Sequence, residues 1–160
     1  MKTMMTTLLL SAFLLACASP KNNEADRAVT TTKQTQPDLI SNYVALKDAL
    51  VQSNADLAKA AAKTLSVSLK DQKMNSEIID MTNQIAASND LSGQRKAFKE
   101  VTSKLIAELK AKGTSQGIFV QFCPMAFGGE GGSWLSLSEE IRNPYYGDMM
   151  LKCGRVTEKL

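Results

Sequence analysis

The chain has 160 residues, with 19 Lys and Arg against 16 Asp and Glu, a formal charge of +3, three Cys, one Trp and no His. Without an imidazole, a Ser-His-Asp triad, a Cys-His dyad, a His-Glu-x-x-His metalloprotease site and a His-ligated zinc site are all excluded. The length is that of one small domain, and the positive surplus is not gathered into a basic run with interleaved aromatics, so nucleic acid is not an expected partner.

Lys2 precedes a largely apolar stretch from Met4 to Leu15. At about 12 residues it is too short to span a bilayer, for which about 20 are needed, and it reads as a secretory signal peptide over residues 1–16. Leu14-Leu15-Ala16-Cys17 looks like a bacterial lipobox, which would leave Cys17 as the lipidated first residue of the mature chain. Ala16-Cys17-Ala18 also satisfies the small-x-small rule of ordinary secretion, which would discard Cys17 with the signal. Either route leads out of the cytoplasm. Several acyl chains on Cys17 would hold the protein stably at a membrane. Ala18, rather than Asp, at the second position favours the outer membrane facing the periplasm, by resemblance to known sorting rules. Residues 18–36 are polar, with Val29 the one large aliphatic side chain, so the reading for 17–36 is a lipidated Cys followed by a disordered tether.

From residue 37 to the C-terminus a single domain is expected. Pro37 suits a first helical position, and Leu39, Ile40, Tyr43, Val44, Leu46, Leu50 and Val51 recur at three- and four-residue spacings, which predicts a helix over 37–53. Asn54 is placed to cap a second helix whose apolar stripe runs Leu57, Ala61, Leu65, Leu69 beside the Ala58–Ala62 run. A third helix over 76–87 groups Ile78, Ile79, Thr82 and Ile85 and ends at Ser88-Asn89-Asp90. The fourth runs from Leu91 through Phe98, Val101, Leu105, Ile106 and Leu109 to a stop at Gly113. Four amphipathic segments with short connections predict a mainly α fold, an antiparallel four-helix bundle over 37–112.

Residues 117–160 differ in composition, holding Cys123, Cys153, Met125, Met149, Met150, Trp134 and most of the glycines. Residues 118–122 and 133–137 read as short strands, Ser136 and Glu139 stand at capping-box spacing for a helical turn, and Asn143-Pro144 begins a turn. A small β element of two or three strands is expected on one end of the bundle. The glycine-rich stretch 128–132 lacks the spacing of a phosphate loop and reads as a connection. Trp134, Tyr145 and Tyr146 read as an aromatic patch closing a small core, and Glu139 and Glu140 as solvated.

The chemistry is carried by sulfur. On a strand Cys123 and Met125 share a face, and Met149 and Cys153 share one on a strand or a helix. Thiolate and thioether are soft donors suited to Cu(I) or Ag(I), which makes Cys123, Met125, Met149, Met150 and Cys153 a candidate metal site, while methionine serves equally as a gap-filler in cores. A Cys123–Cys153 disulfide competes with that site: once Cys17 is lipidated or lost, an even pair remains in an oxidising compartment.

The series Phe122-Cys123-Pro124-Met125-Ala126, Trp134-Leu135-Ser136, Ile141-Arg142-Asn143-Pro144-Tyr145-Tyr146-Gly147-Asp148-Met149-Met150 and Cys153-Gly154 resembles a bacterial family of unknown function. Its members occur alone, often as lipoproteins, and also fused to periplasmic adaptor subunits of copper and silver efflux systems. Tyr43 to Leu50 and Gln94-Arg95-Lys96-Ala97-Phe98 are similar to upstream segments of the same family, so the resemblance spans about 37–158. It implies a metal-handling context and an efflux adaptor as partner. The expectation is a non-enzymatic, lipid-anchored protein that binds Cu(I) or Ag(I) and buffers or delivers it. The alternative is a disulfide-stapled interaction module that docks an envelope or efflux partner.

Overall fold

The structure is a computed structural model and describes residues 38–113 and 117–160. The expected signal peptide, Cys17, the expected tether and Pro37 lie outside the described residues. The described residues fall in one compact unit built of four helices and a three-stranded antiparallel sheet.

The helices are α1 (Leu39–Val51), α2 (Ala55–Asp71), α3 (Ser76–Ala87) and α4 (Leu91–Lys112). Each begins at a side chain that accepts from its own first turn, because the first amides of a helix have no carbonyl partner. Asp38 accepts from Ser41 N at 2.7 Å, Asn54 from Leu57 N at 2.9 Å, Asn75 from Glu77 N at 2.8 Å, and Asp90 from Gly93 N at 2.8 Å. The first helical residue of α1 is therefore Leu39, behind the cap Asp38 and two positions beyond the expected Pro37.

Each helix packs on the next in sequence, in up-and-down order. Their buried faces meet in one core that includes Tyr43, Leu46, Leu50, Leu65, Leu69, Ile78, Ile85, Phe98, Val101 and Leu105. On α2 the inward line is Ala58, Ala62, Leu65, Leu69, while Leu57 is 48% exposed. The expected stripe from Leu57 to Leu69 in steps of four fails for a geometric reason. Four residues overshoot one turn by about 40°, so three such steps carry the line by about 120° around the helix. Steps of four, three and four hold the face, and the two alanines let α2 approach its neighbours closely.

The sheet has the order β2-β1-β3, from β1 (Phe119–Cys123), β2 (Gly132–Ser136) and β3 (Arg155–Lys159). In β1–β2 Phe119 pairs with Ser136 and Cys123 with Gly132. In β1–β3 the register shifts between Val120 and Gln121, leaving Thr157 as the extra residue, and its hydroxyl donates to the Val120 carbonyl at 3.1 Å.

The sheet does not sit on one end of the bundle, as the sequence suggests, but along its flank. β2 packs against both α4 and α1. The C-terminal region meets α4 at Arg95, whose Nε donates to Pro144 O at 2.9 Å, and again at Lys110, paired with Glu158 at 2.5 Å. Fifteen helical residues separate those contacts, a rise of roughly 22 Å. The long buried face of α4 needs cover along its whole length, and β2 supplies it. Nor does a helical turn follow Ser136. Its hydroxyl accepts from Ser138 N at 3.1 Å and that of Ser138 from Glu140 N at 3.1 Å, two local turns that replace a helix start.

Tyr43 ties the layers together. Its ring stacks on Phe98 at 5.2 Å, its hydroxyl bonds Thr102 Oγ1 at 2.6 Å, and the same oxygen accepts from Leu135 N of β2 at 3.2 Å. Burial holds the phenol proton far above its ordinary range, so this is a neutral donor and acceptor at every working pH. Tyr43→Phe leaves a buried amide and a buried hydroxyl short of a partner, and a loss of about 1–3 kcal/mol in unfolding free energy is expected by urea titration. A change under 0.5 kcal/mol, on the order of noise for such a titration, would contradict the role given to the hydroxyl.

Candidate functional site

β1 is the central strand, and its period of two sends Gln121 and Cys123 to one face, both wholly buried. Gln121 secures the roof over that face. Its Nε2 donates to Ser138 O at 2.9 Å and Glu140 O at 3.2 Å, and its Oε1 accepts from Trp134 Nε1 at 2.6 Å. The connection from β2 to β3 is thereby held across the sheet and returns through a 3-10 turn, Gly147–Met150, to Cys153. Gly154 follows at φ +147°, and a Cβ there would stand 2.7 Å from the Trp134 ring, so only glycine lets the chain pass the indole at this point.

This path brings Cys153 Sγ to 2.8 Å from Cys123 Sγ, with both thiols free. Cys123 is buried and Cys153 is partly exposed, so solvent reaches the pair from the Cys153 side. The Cys153 thiol is raised above its ordinary pKa, first by its hydrogen bond with Cys123, then by desolvation and by the charge a Cys123 thiolate would place beside it. The main-chain N–H of Met125 works the other way, donating toward the Cys153 sulfur. Cys153 N donates to Met150 O at 3.0 Å and Asn143 Nδ2 to Cys153 O at 3.2 Å, so the main chain on the Cys153 side is held as well as its sulfur.

Of the five sulfur residues singled out in the sequence, the structure puts the two thiols in contact and the Met125 main chain against Cys153. The methionine side chains are outer features. Met125 is 55% exposed, Met149 is 85% exposed and Met150 is half-buried. None of the three fills the core, although core packing was the competing expectation for Met149 and Met150. Among the described residues no three Cys, Asp or Glu side chains gather as a ready metal cage.

Trp134 and Tyr145 are core residues, with Tyr145 in ring contact with Phe98, Phe127 and Trp134. Glu139 and Glu140 are exposed, as expected, and the Glu140 carboxyl is held below its usual range by Lys152 at 2.6 Å. The glycine-rich connection opens on a 3-10 turn, Ala126–Gly129, in which Phe127 itself adopts φ +54°.

Three residues that matter to this geometry escape sequence reasoning. Gln121 is a polar residue at an inward strand position, while Asn143 and Tyr146 reveal themselves only by what they bond. Asn143 is fully buried, and its Oδ1 accepts from Tyr145 N at 2.8 Å. The Tyr146 hydroxyl donates to Met125 O at 2.7 Å.

The raised thiol has a kinetic signature. Because the thiolate is the reactive form, alkylation of Cys153 by iodoacetamide accelerates only as pH climbs past the ordinary thiol range. Cys123→Ala removes the largest cause of the shift, and the midpoint of that pH profile is expected to move down toward the ordinary range. An unmoved midpoint would contradict the assignment.

No curated protein and no solved structure matches the chain. Residues 39–117, which span α1–α4 and stop short of both thiols, match the model of a family described as protein of unknown function (DUF3347), so the helical part of this chain is similar to a domain of unknown function.

Proposed function

We propose that this chain is an exported, lipid-anchored protein that binds Cu(I) or Ag(I) through Cys123 and Cys153 and buffers or delivers the ion in connection with heavy-metal efflux. The observation that carries this reading is the contact of the two thiols at 2.8 Å, with one of them partly exposed. A soft cation prefers sulfur donors, and Met125 and Met149 offer exposed thioethers on the same two stretches of chain. At about 2.3 Å, the zinc–thiolate length, two thiolates on one ion stand roughly 3.8 Å apart at a tetrahedral angle. Admitting the metal therefore requires Cys153, the sulfur on the connection rather than on β1, to draw back by about 1 Å.

Anchoring at Cys17, the outer-membrane address and an efflux adaptor as the receiving partner belong to the same proposal. They are supported by the lipobox-like Leu14-Leu15-Ala16-Cys17 and by the resemblance carried on the C-terminal residues. The role is binding and transfer, without a catalysed reaction.

The sulfur separation also favours a second reading, in which the pair closes as a disulfide and the domain is a stapled interaction module. Under it, reduction lowers the melting temperature and Cu(I) has no stoichiometric effect. Under the metal reading, Cys123→Ser and Cys153→Ser each abolish tight Cu(I) binding in competition with a chromophoric chelator under reducing conditions. Met125→Leu weakens binding by about tenfold, the scale of an outer-shell change. Parental affinity in both Cys variants would overturn the metal reading.

A further inference from the structure

The two thiols sit on separate stretches of chain, Cys123 at the end of β1 and Cys153 just before β3. The antiparallel β1–β3 ladder, whose last pair is Phe122 with Arg155, brings the two stretches alongside one residue from Cys123 and two from Cys153, but does not itself pair either cysteine. Beyond the ladder, a third stretch holds both. On the Cys153 side, Asn143 N donates to Leu151 O at 2.9 Å and Asn143 Nδ2 to Cys153 O at 3.2 Å. On the Cys123 side, the Tyr146 hydroxyl donates to Met125 O at 2.7 Å, two residues beyond the thiol, and the Tyr145 hydroxyl donates to Ser133 O of β2. Residues 143–146 thus grip both partners from one short turn, itself closed by Asn143 Oδ1 accepting from Tyr145 N.

The turn is fixed in its own right. Arg95 of α4 donates from Nε to Pro144 O at 2.9 Å, and the same guanidinium binds Leu50 O at 3.1 Å and Ser53 Oγ at 2.9 Å at the end of α1. A planar, always charged group with donors in fixed directions is suited to such a three-point anchor. Gly147 and Gly154, at φ +58° and +147°, bound the segment that bears Met149, Met150 and Cys153. Gly147 packs against Ser53 and Gly154 against the Trp134 ring, so the ends of the segment are fixed points and the Asn143 bonds hold the chain between them over Cys123.

We infer that the turn formed by residues 143–146 is a clamp that sets the approach of Cys153 to Cys123, with Asn143 and Tyr146 as its positioning residues. Because closing a disulfide from separate chain stretches costs the entropy of bringing them together, a clamp that prepays this cost favours the bridge. The relevant exchange is protein dithiol plus glutathione disulfide giving protein disulfide plus two glutathione thiols, in which one S–S bond forms as one breaks and both protons pass to glutathione. The clamp rests on the thiol contact shared by both readings of the function, and deepens them by naming what governs passage between open and bridged pair.

The test is the glutathione equilibrium of the full-length chain in detergent, with the Cys123 and Cys153 redox state read by alkylation and peptide mass, for the parent, Tyr146→Phe and Asn143→Asp. Tyr146→Phe removes one hydroxyl, and Asn143→Asp removes the donor to Cys153 O while keeping the acceptor for Tyr145 N. Each is expected to shift the equilibrium about 3- to 10-fold toward the open thiols, the equivalent of one hydrogen bond, with an unchanged helical circular dichroism spectrum. Should Asn143→Asp fail to fold, Tyr146→Phe alone decides, since its hydroxyl bond lies at the surface. A folded Tyr146→Phe protein whose equilibrium stays within about twofold of the parent, a shift smaller than one hydrogen bond gives, would overturn the clamp even if its melting temperature fell. The readout contains no metal, so a shifted equilibrium in a chain that does not bind Cu(I) would contradict the metal proposal and leave the clamp standing.

Discussion

The arrangement of the whole domain depends on one buried oxygen, the Tyr43 hydroxyl, which is shared between α1, α4 and β2. A sheet packed on a helix bundle by apolar contact alone could slide along it, since burial has no direction. A hydrogen bond to the main-chain N–H of Leu135 fixes the register, because a shift by one residue would leave the amide and the phenol unpaired and turn the other face of β2 toward the core. With β2 placed, its ladder places β1, and the position of Cys123 follows from the pairing Cys123 with Gly132.

The two sulfurs then differ in kind. Cys123 belongs to the central strand of the sheet, buried and paired with Gly132 of β2. Cys153 belongs to a connection bounded by positive-φ glycines and secured by side chains. A thiol on a strand facing a thiol on a connection is compatible with both a disulfide near 2.05 Å and the wider, metal-bridged separation proposed above. A pair on one rigid strand would allow neither, and a pair on two loose loops would lose affinity to ordering entropy. The bundle's part in this is indirect but definite: Arg95 and the end of α1 hold the Pro144 carbonyl, and through it the turn over the site.

Much of the fold is legible in the chain, and the places where reading fails have particular causes. The helices announce themselves because apolar residues recur with the helical period and Asn54 and Gly113 punctuate them. The stripe on α2 is misread by a few residues because strict steps of four drift around a helix, which exposes Leu57. β3 is invisible to alternation: Arg155 to Lys159 are all exposed on an edge strand, so no face of it carries a hydrophobic signal. The flank position of the sheet is a tertiary choice, driven by the uncovered face of α4, and no local pattern encodes it. At the site, the thiols are legible as an even pair. Their geometry is not, because it is set by Gln121, Asn143 and Tyr146, polar residues whose meaning lies in bonds to main-chain carbonyls far along the sequence.

The central claim is that Cys123 and Cys153 form one sulfur centre that takes up a soft metal ion. The most direct measurement is native intact mass on the protein exported to the periplasm and recovered from copper-supplemented cells, at a resolution that counts hydrogens. The account predicts a one-to-one copper adduct that disappears in a Cys123→Ser, Cys153→Ser double variant. A metal-free mass short by two hydrogens, unchanged by added Cu(I) after reduction, would contradict it and leave the pair as a structural staple.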